Sequence, residues 1–234
     1  MMMYKLGKYK PSDKMSDLVC ENYQVLLIMS RFGIALGFGD KSIDQVCTLN
    51  GVHTATFLAI VNMMLDEEPL PADQYPNISI ESFVGYLHNS HDYFLGFRLS
   101  AIRRKLMEAL DYRLGDVSMA IMRFFDEYVG EVRKHMLYEE QTLFPYVHRL
   151  LAGEKPAGYD IDRFERLHNS VEAKMTELKN ILIKYYPAKE HNALNDVLFD
   201  IFTTEADLAS HNFVENNLFV PLVKSVEDKI LQKP

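Results

Sequence analysis

Two segments of the sequence each place a histidine four residues before a glutamate: His135 with Glu139, and His211 with Glu215. Residues at this spacing lie one turn apart on the same face of an α-helix, so each pair can present an imidazole and a carboxylate to one point. Both members of the second pair follow those of the first by 76 residues. This repeat indicates a metal site assembled from two similar halves of the chain.

Two further histidines fit the same repeat. His168 lies 76 residues after position 92, which is next to His91, so each half can supply one histidine followed by a histidine–glutamate pair. Four imidazoles and two carboxylates suit two metal ions in the core of a helical bundle. Nitrogen and oxygen ligands without a thiolate favour iron over tetrahedral zinc, and manganese is the alternative metal. The predicted ligands are His91, His135, Glu139, His168, His211 and Glu215.

Two residues beside these ligands have open roles. His88 lies one turn before His91 and can either replace it as a ligand or act as a donor that orients a bridging carboxylate. Glu140 follows Glu139 directly and would point about 100° away from it on a regular α-helix. We therefore expect Glu140 to be solvated or salt-bridged.

The composition is that of an ordinary globular protein, with 234 residues of which 48% are hydrophobic and 25% charged. A net charge of −8 argues against a nucleic-acid partner, which selects basic surfaces. The most apolar stretch is too short for the roughly 20 residues of a membrane helix, and the amino terminus lacks a secretory signal pattern. We therefore expect a cytoplasmic protein with no membrane partner. Two cysteines, Cys20 and Cys47, are too few for a disulfide framework.

Four long segments with helical character carry the predicted ligands, and each ends at glycine or proline signals. The breaks between them are short, which predicts an all-α, antiparallel up-down four-helix bundle. Pro145 and Pro221 each lie ten residues after a predicted ligand histidine and are expected to kink their helices. The four segments cover approximately residues 79–110, 116–151, 160–185 and 188–230.

The chain before the bundle has the pattern of a small helical domain, since short apolar segments alternate there with glycines. Residues 69–77 contain three prolines, which disfavour helix and indicate a linker. We therefore predict a small amino-terminal domain over residues 1–68, a linker over 69–77 and the bundle over 78–234.

The ligand motifs resemble those of the hemerythrin-like (HHE cation-binding) domain. The resemblance rests on the histidines at 91 and 168 and on the two histidine–glutamate pairs, each followed by Leu-Phe. Within that group the chain resembles the repair-of-iron-centres proteins, which are associated with restoring iron–sulfur clusters damaged by nitric oxide or peroxide. The resemblance implies a non-haem di-iron centre with four terminal histidines and with Glu139 and Glu215 as bridges, and it leaves an additional oxo bridge open.

The segment around Gly33 and Ile34 resembles the small domain that precedes the bundle in the repair family. Members of that family usually carry a cysteine pair just after this Gly-Ile, and the corresponding positions here are Gly37 and Phe38. The resemblance therefore implies the metal chemistry of the family without the thiol chemistry of that pair.

Two functions are consistent with these motifs. The first is a stress response in which the di-iron centre reacts with nitric oxide, oxygen or peroxide, or releases iron to a damaged iron–sulfur protein. The alternative is a hemerythrin-like module that binds or senses oxygen, nitric oxide or iron without turnover. The sequence leaves open whether the protein is an enzyme, whether it forms a homodimer, and whether the bundle only stores metal.

Overall fold

The structure is a computed structural model that describes residues 8–66, 70–154, 161, 171–187 and 191–231. These residues form helices and connecting turns, and no strand occurs among them, so the predicted all-α class is confirmed. No helix in this part of the chain is both long and apolar enough to cross a membrane.

Four short helices precede the bundle in the described part of the chain. The third of them begins with a capping box, in which the Ser42 hydroxyl accepts a hydrogen bond from the Gln45 amide while the Gln45 side chain accepts one from the Ser42 amide. This reciprocal capping satisfies backbone donors at the helix start. The four helices are α1 (Met15–Glu21), α2 (Val25–Arg31), α3 (Ile43–Leu49) and α4 (Thr54–Asp66).

Within the described residues, the long predicted segments are helical, and π-helical turns divide three of them. A π turn links α5 to α6, α7 to α8 and α10 to α11, whereas α9 stands alone. The α-helices are α5 (Ile80–His91), α6 (Leu99–Ala109), α7 (Asp116–Tyr138), α8 (Phe144–Leu151), α9 (Val171–Lys184), α10 (His191–Val214) and α11 (Val220–Leu231). The π segments are π1 (Asp92–Arg98), π2 (Glu139–Leu143) and π3 (Glu215–Phe219).

Two of the π segments, π2 and π3, lie just ahead of the two prolines for which the sequence predicted kinks. Pro145 is the second residue of α8 and Pro221 is the second residue of α11, and each follows a five-residue π segment. Proline has no amide hydrogen, so it is best tolerated where a regular helix begins again. The predicted irregularity thus takes the form of a π turn that starts six residues before each proline.

The chain divides into two compact units: the chain up to Ser90 together with the chain from Phe213 onward, and His91–Asn212. In the first unit, aromatic rings join the short helices to α5. The Phe32 ring lies 5.6 Å from that of Phe57 and 5.0 Å from that of Tyr86. The proposed boundary over residues 69–77 stays a prediction, and a 3₁₀ helix, Ala72–Asn77, occupies most of it.

In the second unit, α6, α7, α9 and α10 pack around one apolar core. Two polar contacts show the relative direction of two of these segments, since residue numbers rise along one segment as they fall along the other. Lys105 Nζ lies 2.7 Å from Asp196 Oδ2, and Arg98 Nε lies 2.7 Å from Thr204 Oγ1. The segment that leads into α6 and the helix α10 are therefore antiparallel, as the short breaks predicted.

Candidate metal centre

Three of the predicted ligands lie where α-helix changes to π-helix. His91 is the last residue of α5, while Glu139 and Glu215 are the first residues of π2 and π3. A π turn holds one residue more than an α turn and redirects the side chains at that point, which is why such turns are common at functional sites. The same feature in both halves of the repeat places the two glutamates in equivalent local surroundings.

Glu139 lies between two histidines. It is fully buried, and its Oε2 lies 2.8 Å from His91 Nε2 while its Oε1 lies 2.8 Å from His135 Nε2. The two oxygens of one carboxylate thus face two different imidazoles. A carboxylate that bridges two metal ions needs its oxygens divided in this way.

These contacts also determine the charge of Glu139. Burial alone would raise the pKa of its carboxyl group, but hydrogen bonds and charge from His135 and His91 outweigh burial and hold the pKa well below its usual range. Glu139 is therefore an anion at neutral pH, which is the form that binds a cation.

His211 and Glu215 lie close to the same carboxylate. Each of four buried residues, His91, Glu139, His211 and Glu215, offers one ligand atom, and these atoms all lie within 4.8 Å of one another. The rings of His91 and His211 are 5.5 Å apart and nearly perpendicular, at 68°. Buried nitrogen and oxygen donors at this separation could hold a metal ion.

Aromatic rings cover the two histidines of this group. Phe144 stacks on His91 with ring centroids 5.6 Å apart and planes 6° apart. Phe94 meets His211 edge to face with centroids 5.8 Å apart. Apolar walls exclude water and strengthen electrostatic interactions inside the site.

Glu140 contacts a predicted ligand. Its Oε1 lies 2.7 Å from His91 Nδ1, the ring nitrogen on the opposite side from Glu139. The predicted salt-bridged role is thus present, but its partner is a predicted metal ligand, which the spacing of a regular α-helix did not indicate. The π turn that begins at Glu139 has no hydrophobic signature, so no sequence signal identified this contact.

The structure brings five of the six predicted ligands together, and their binding of metal stays a prediction. His135 joins the group of four through its contact with Glu139. His168 lies outside the described residues. His88 is exposed and is not a member of the buried group.

The donor set fits iron or manganese. The group contains imidazole nitrogens and carboxylate oxygens and no sulfur, which is the ligand chemistry of non-haem iron and manganese sites rather than of structural zinc. Of the two cysteines, Cys20 is exposed and Cys47 is buried. Burial raises the pKa of the Cys47 thiol to about 12, although a hydrogen bond with Thr54 lowers it in part.

A comparison with protein-family models identifies the chain. The hemerythrin HHE cation binding domain matches residues 82–223, which is more than half of the 234 residues. The chain belongs to the hemerythrin family. The matched range includes all six predicted ligands, and hemerythrin domains bind metal ions, typically iron. Searches of curated proteins and of solved structures gave no match.

Proposed function

We propose that this hemerythrin-family chain is a non-haem di-iron protein that responds to nitrosative or oxidative stress in the manner of iron–sulfur cluster repair proteins. The division of the Glu139 oxygens between His91 and His135 is the observation that supports this proposal, because it would allow one carboxylate to bridge two metal ions. The stress-response part of the proposal rests on the sequence resemblance to repair-of-iron-centres proteins.

Each residue of the site has a role in this proposal. His91, His135, His168 and His211 would be terminal ligands of the metals, and Glu139 and Glu215 would be the bridging carboxylates. The iron ions, when bound, supply positions for nitric oxide, oxygen or peroxide and a reversible change of oxidation state. Phe94 and Phe144 keep water away from the histidines.

Metal analysis of anaerobically purified protein tests the site. We expect two irons per chain in the wild type, and loss of iron in both His135→Ala and His211→Ala. His148→Ala is the matched control, because His148 is exposed on α8 and lies outside the buried group. A wild-type chain that binds neither iron nor manganese after loading would contradict the proposal.

Spectroscopy tests the small-molecule partner. Nitric oxide, azide or peroxide should change the visible spectrum of the iron-loaded wild type. An unchanged spectrum with all three would show that the metals have no accessible position, and the stress-response proposal would then fail even if iron is bound.

A second function is reversible sensing without iron transfer. It is favoured by the absence of the cysteine pair at Gly37 and Phe38 and by the burial of the Cys47 thiol. Gly37, at the position of the missing cysteine pair, has φ +94°, a conformation that residues with a side chain rarely adopt. The Cys47 thiol is buried and its pKa is raised. Release of iron to an apo iron–sulfur protein would support repair, whereas reversible nitric oxide binding with no iron release would support sensing.

A further inference from the structure

We propose that the exposed face of α10 is the contact surface of a homodimer, in which two copies of this chain pair through α10 in the antiparallel direction. The surface is an apolar stripe of four exposed residues, Phe199, Phe202, Ala206 and Ala209. The proposal does not involve the metal ligands, so it can be tested whether or not the protein binds iron.

The stripe has the spacing of a helix–helix contact. Its residues are three, four and three positions apart, which is the heptad spacing along which two helices pack. The apolar core of the second unit contacts the other side of the same helix, through Val197, Ile201 and Leu208. Single exposed apolar residues are common on protein surfaces, but a stripe with this period opposite a core face is typical of a helix that packs on both sides.

The two phenylalanines of the stripe are its most exposed apolar groups. Phe199 is 72% exposed and Phe202 is 45% exposed, and they lie one turn apart. Lys179 Nζ lies 4.6 Å from the centroid of the Phe202 ring, which fixes that ring in place before a partner binds. Lys179 also pairs with Glu205, beside the stripe. The charge of Glu205 is therefore balanced within each chain, so two facing copies do not repel each other there.

The sizes of the four side chains select both the partner and its direction. The two large residues come first along the helix and the two small ones follow. In antiparallel pairing about a twofold axis, Phe202 of each copy faces Ala206 of the other, and Phe199 faces Ala209. Parallel pairing would instead set phenylalanine against phenylalanine and alanine against alanine. Well-packed helices alternate large and small side chains across facing positions, so the stripe is complementary to a second copy of itself.

Sedimentation velocity over a series of concentrations tests the dimer, with the full-length protein as purified. We expect the wild type to dimerise. Phe202→Ala leaves gaps in the contact and Ala206→Phe sets phenylalanines against each other, so each should weaken dimerisation about tenfold or more. The exchanged variant, Phe202→Ala with Ala206→Phe, again sets large against small and should return the dissociation constant to within about threefold of the wild type.

Ala193→Phe is the matched control, because Ala193 is exposed on α10 and lies on the opposite side of the helix from Phe202. It should leave the dissociation constant unchanged. Ala206→Phe separates a specific contact from general stickiness, since a non-specific apolar surface would associate more strongly with an added phenylalanine. Tighter association of Ala206→Phe, a wild type that stays monomeric at its highest soluble concentration, or a dimer that all these variants leave unchanged would overturn the proposal.

Disulfide trapping tests the direction of the pairing. In a Cys20→Ser background, which removes the exposed native thiol, Phe202→Cys and Ala206→Cys proteins are mixed under mild oxidation. We expect faster cross-linking in the mixture than in either protein alone, because position 202 of one copy faces position 206 of the other. Circular dichroism checks that each variant keeps its helices. Equal or faster cross-linking in the separate proteins, or none in the mixture, would rule out the antiparallel dimer.

Discussion

Glu139 is the residue on which the proposed bridge depends. Its two oxygens face His91 and His135, and its pKa is held low, so it stays ionised in a buried position. Glu139→Gln keeps the size of the side chain but gives one neutral oxygen and one amide nitrogen. We expect the iron content to fall below two per chain and the affinity to fall by about 100-fold.

Metal analysis after anaerobic gel filtration measures the effect of Glu139→Gln. Glu108→Gln provides the control, because Glu108 is exposed on α6. Two tightly held irons in Glu139→Gln would show that this carboxylate does not bridge.

The two cysteines should differ in reactivity. Cys47 is fully buried and its pKa is raised to about 12, mainly by burial, so at pH 8 it is a protonated thiol beyond the reach of a reagent. Cys20 is exposed. We expect a disulfide reagent to titrate one thiol in the native protein and two in denaturant. Cys20→Ser should leave no rapidly reacting thiol, and fast reaction in that variant would contradict the assignment.

The sequence predicted five residues that the structure brings together, but not the contact that Glu140 makes with one of them. Spacing alone paired His135 with Glu139 and His211 with Glu215, because residues four apart share a helical face. Because the same rule assumes a regular α-helix, it predicted that the Glu140 side chain would point away from the metal ligands. His88 met the spacing rule equally well, and only the structure shows that it is exposed.

The π2 segment interrupts the long helix that α7 and α8 form together. A π turn accommodates one extra residue, so the helices on either side keep their apolar faces toward the core. Deleting the exposed Gln141 should restore a regular helix there, and Pro145→Ala removes the clash that would follow. We expect the double variant to keep its helical content but to bind iron at least tenfold more weakly.

Circular dichroism and iron titration together measure this variant, with Pro145→Ala alone as the control. Unchanged iron affinity in the shortened helix would show that the π turn does not position Glu139. The hydrophobic pattern of the sequence predicted the long helices, but it could not reveal the π turns, since apolar residues keep facing the core on both sides of each one.

Arg98 links two elements of the second unit. Its guanidinium donates to Thr203 and Thr204 and lies 3.1 Å from Asp200 Oδ1, and the side chain is 19% exposed. Arg98→Ala should lower the free energy of unfolding by about 2 kcal/mol, because several polar partners lose a charged donor. Urea denaturation of metal-free protein measures this change.

Arg123→Ala is the comparison for Arg98. Arg123 is 81% exposed and lies 3.5 Å from Glu127, so its loss should cost no more than about 0.5 kcal/mol. Equal effects of the two substitutions would show that the Arg98 contacts contribute no more than a surface pair.

At the scale of the whole molecule, the amino-terminal helices share a compact unit with α5. Phe32 and Phe57 pack with Tyr86, so removal of residues 1–66 would expose apolar surface on α5. We expect a chain of residues 70–234 to melt at a lower temperature and to bind a hydrophobic dye. A shortened chain that melts as the full chain does would instead support the separate small domain predicted from the prolines of residues 69–77.

The three π segments have a consequence for how metal enters a buried site. Regular α-helix resists local opening because each hydrogen bond is supported by its neighbours, and a π turn interrupts that cooperativity. Three of the predicted ligands therefore lie where their helices can open locally: His91 beside π1, Glu139 in π2 and Glu215 in π3. Amide hydrogens in these turns should exchange with solvent before those of α7 or α10, which gives the site a route for metal exchange that spares the rest of the core.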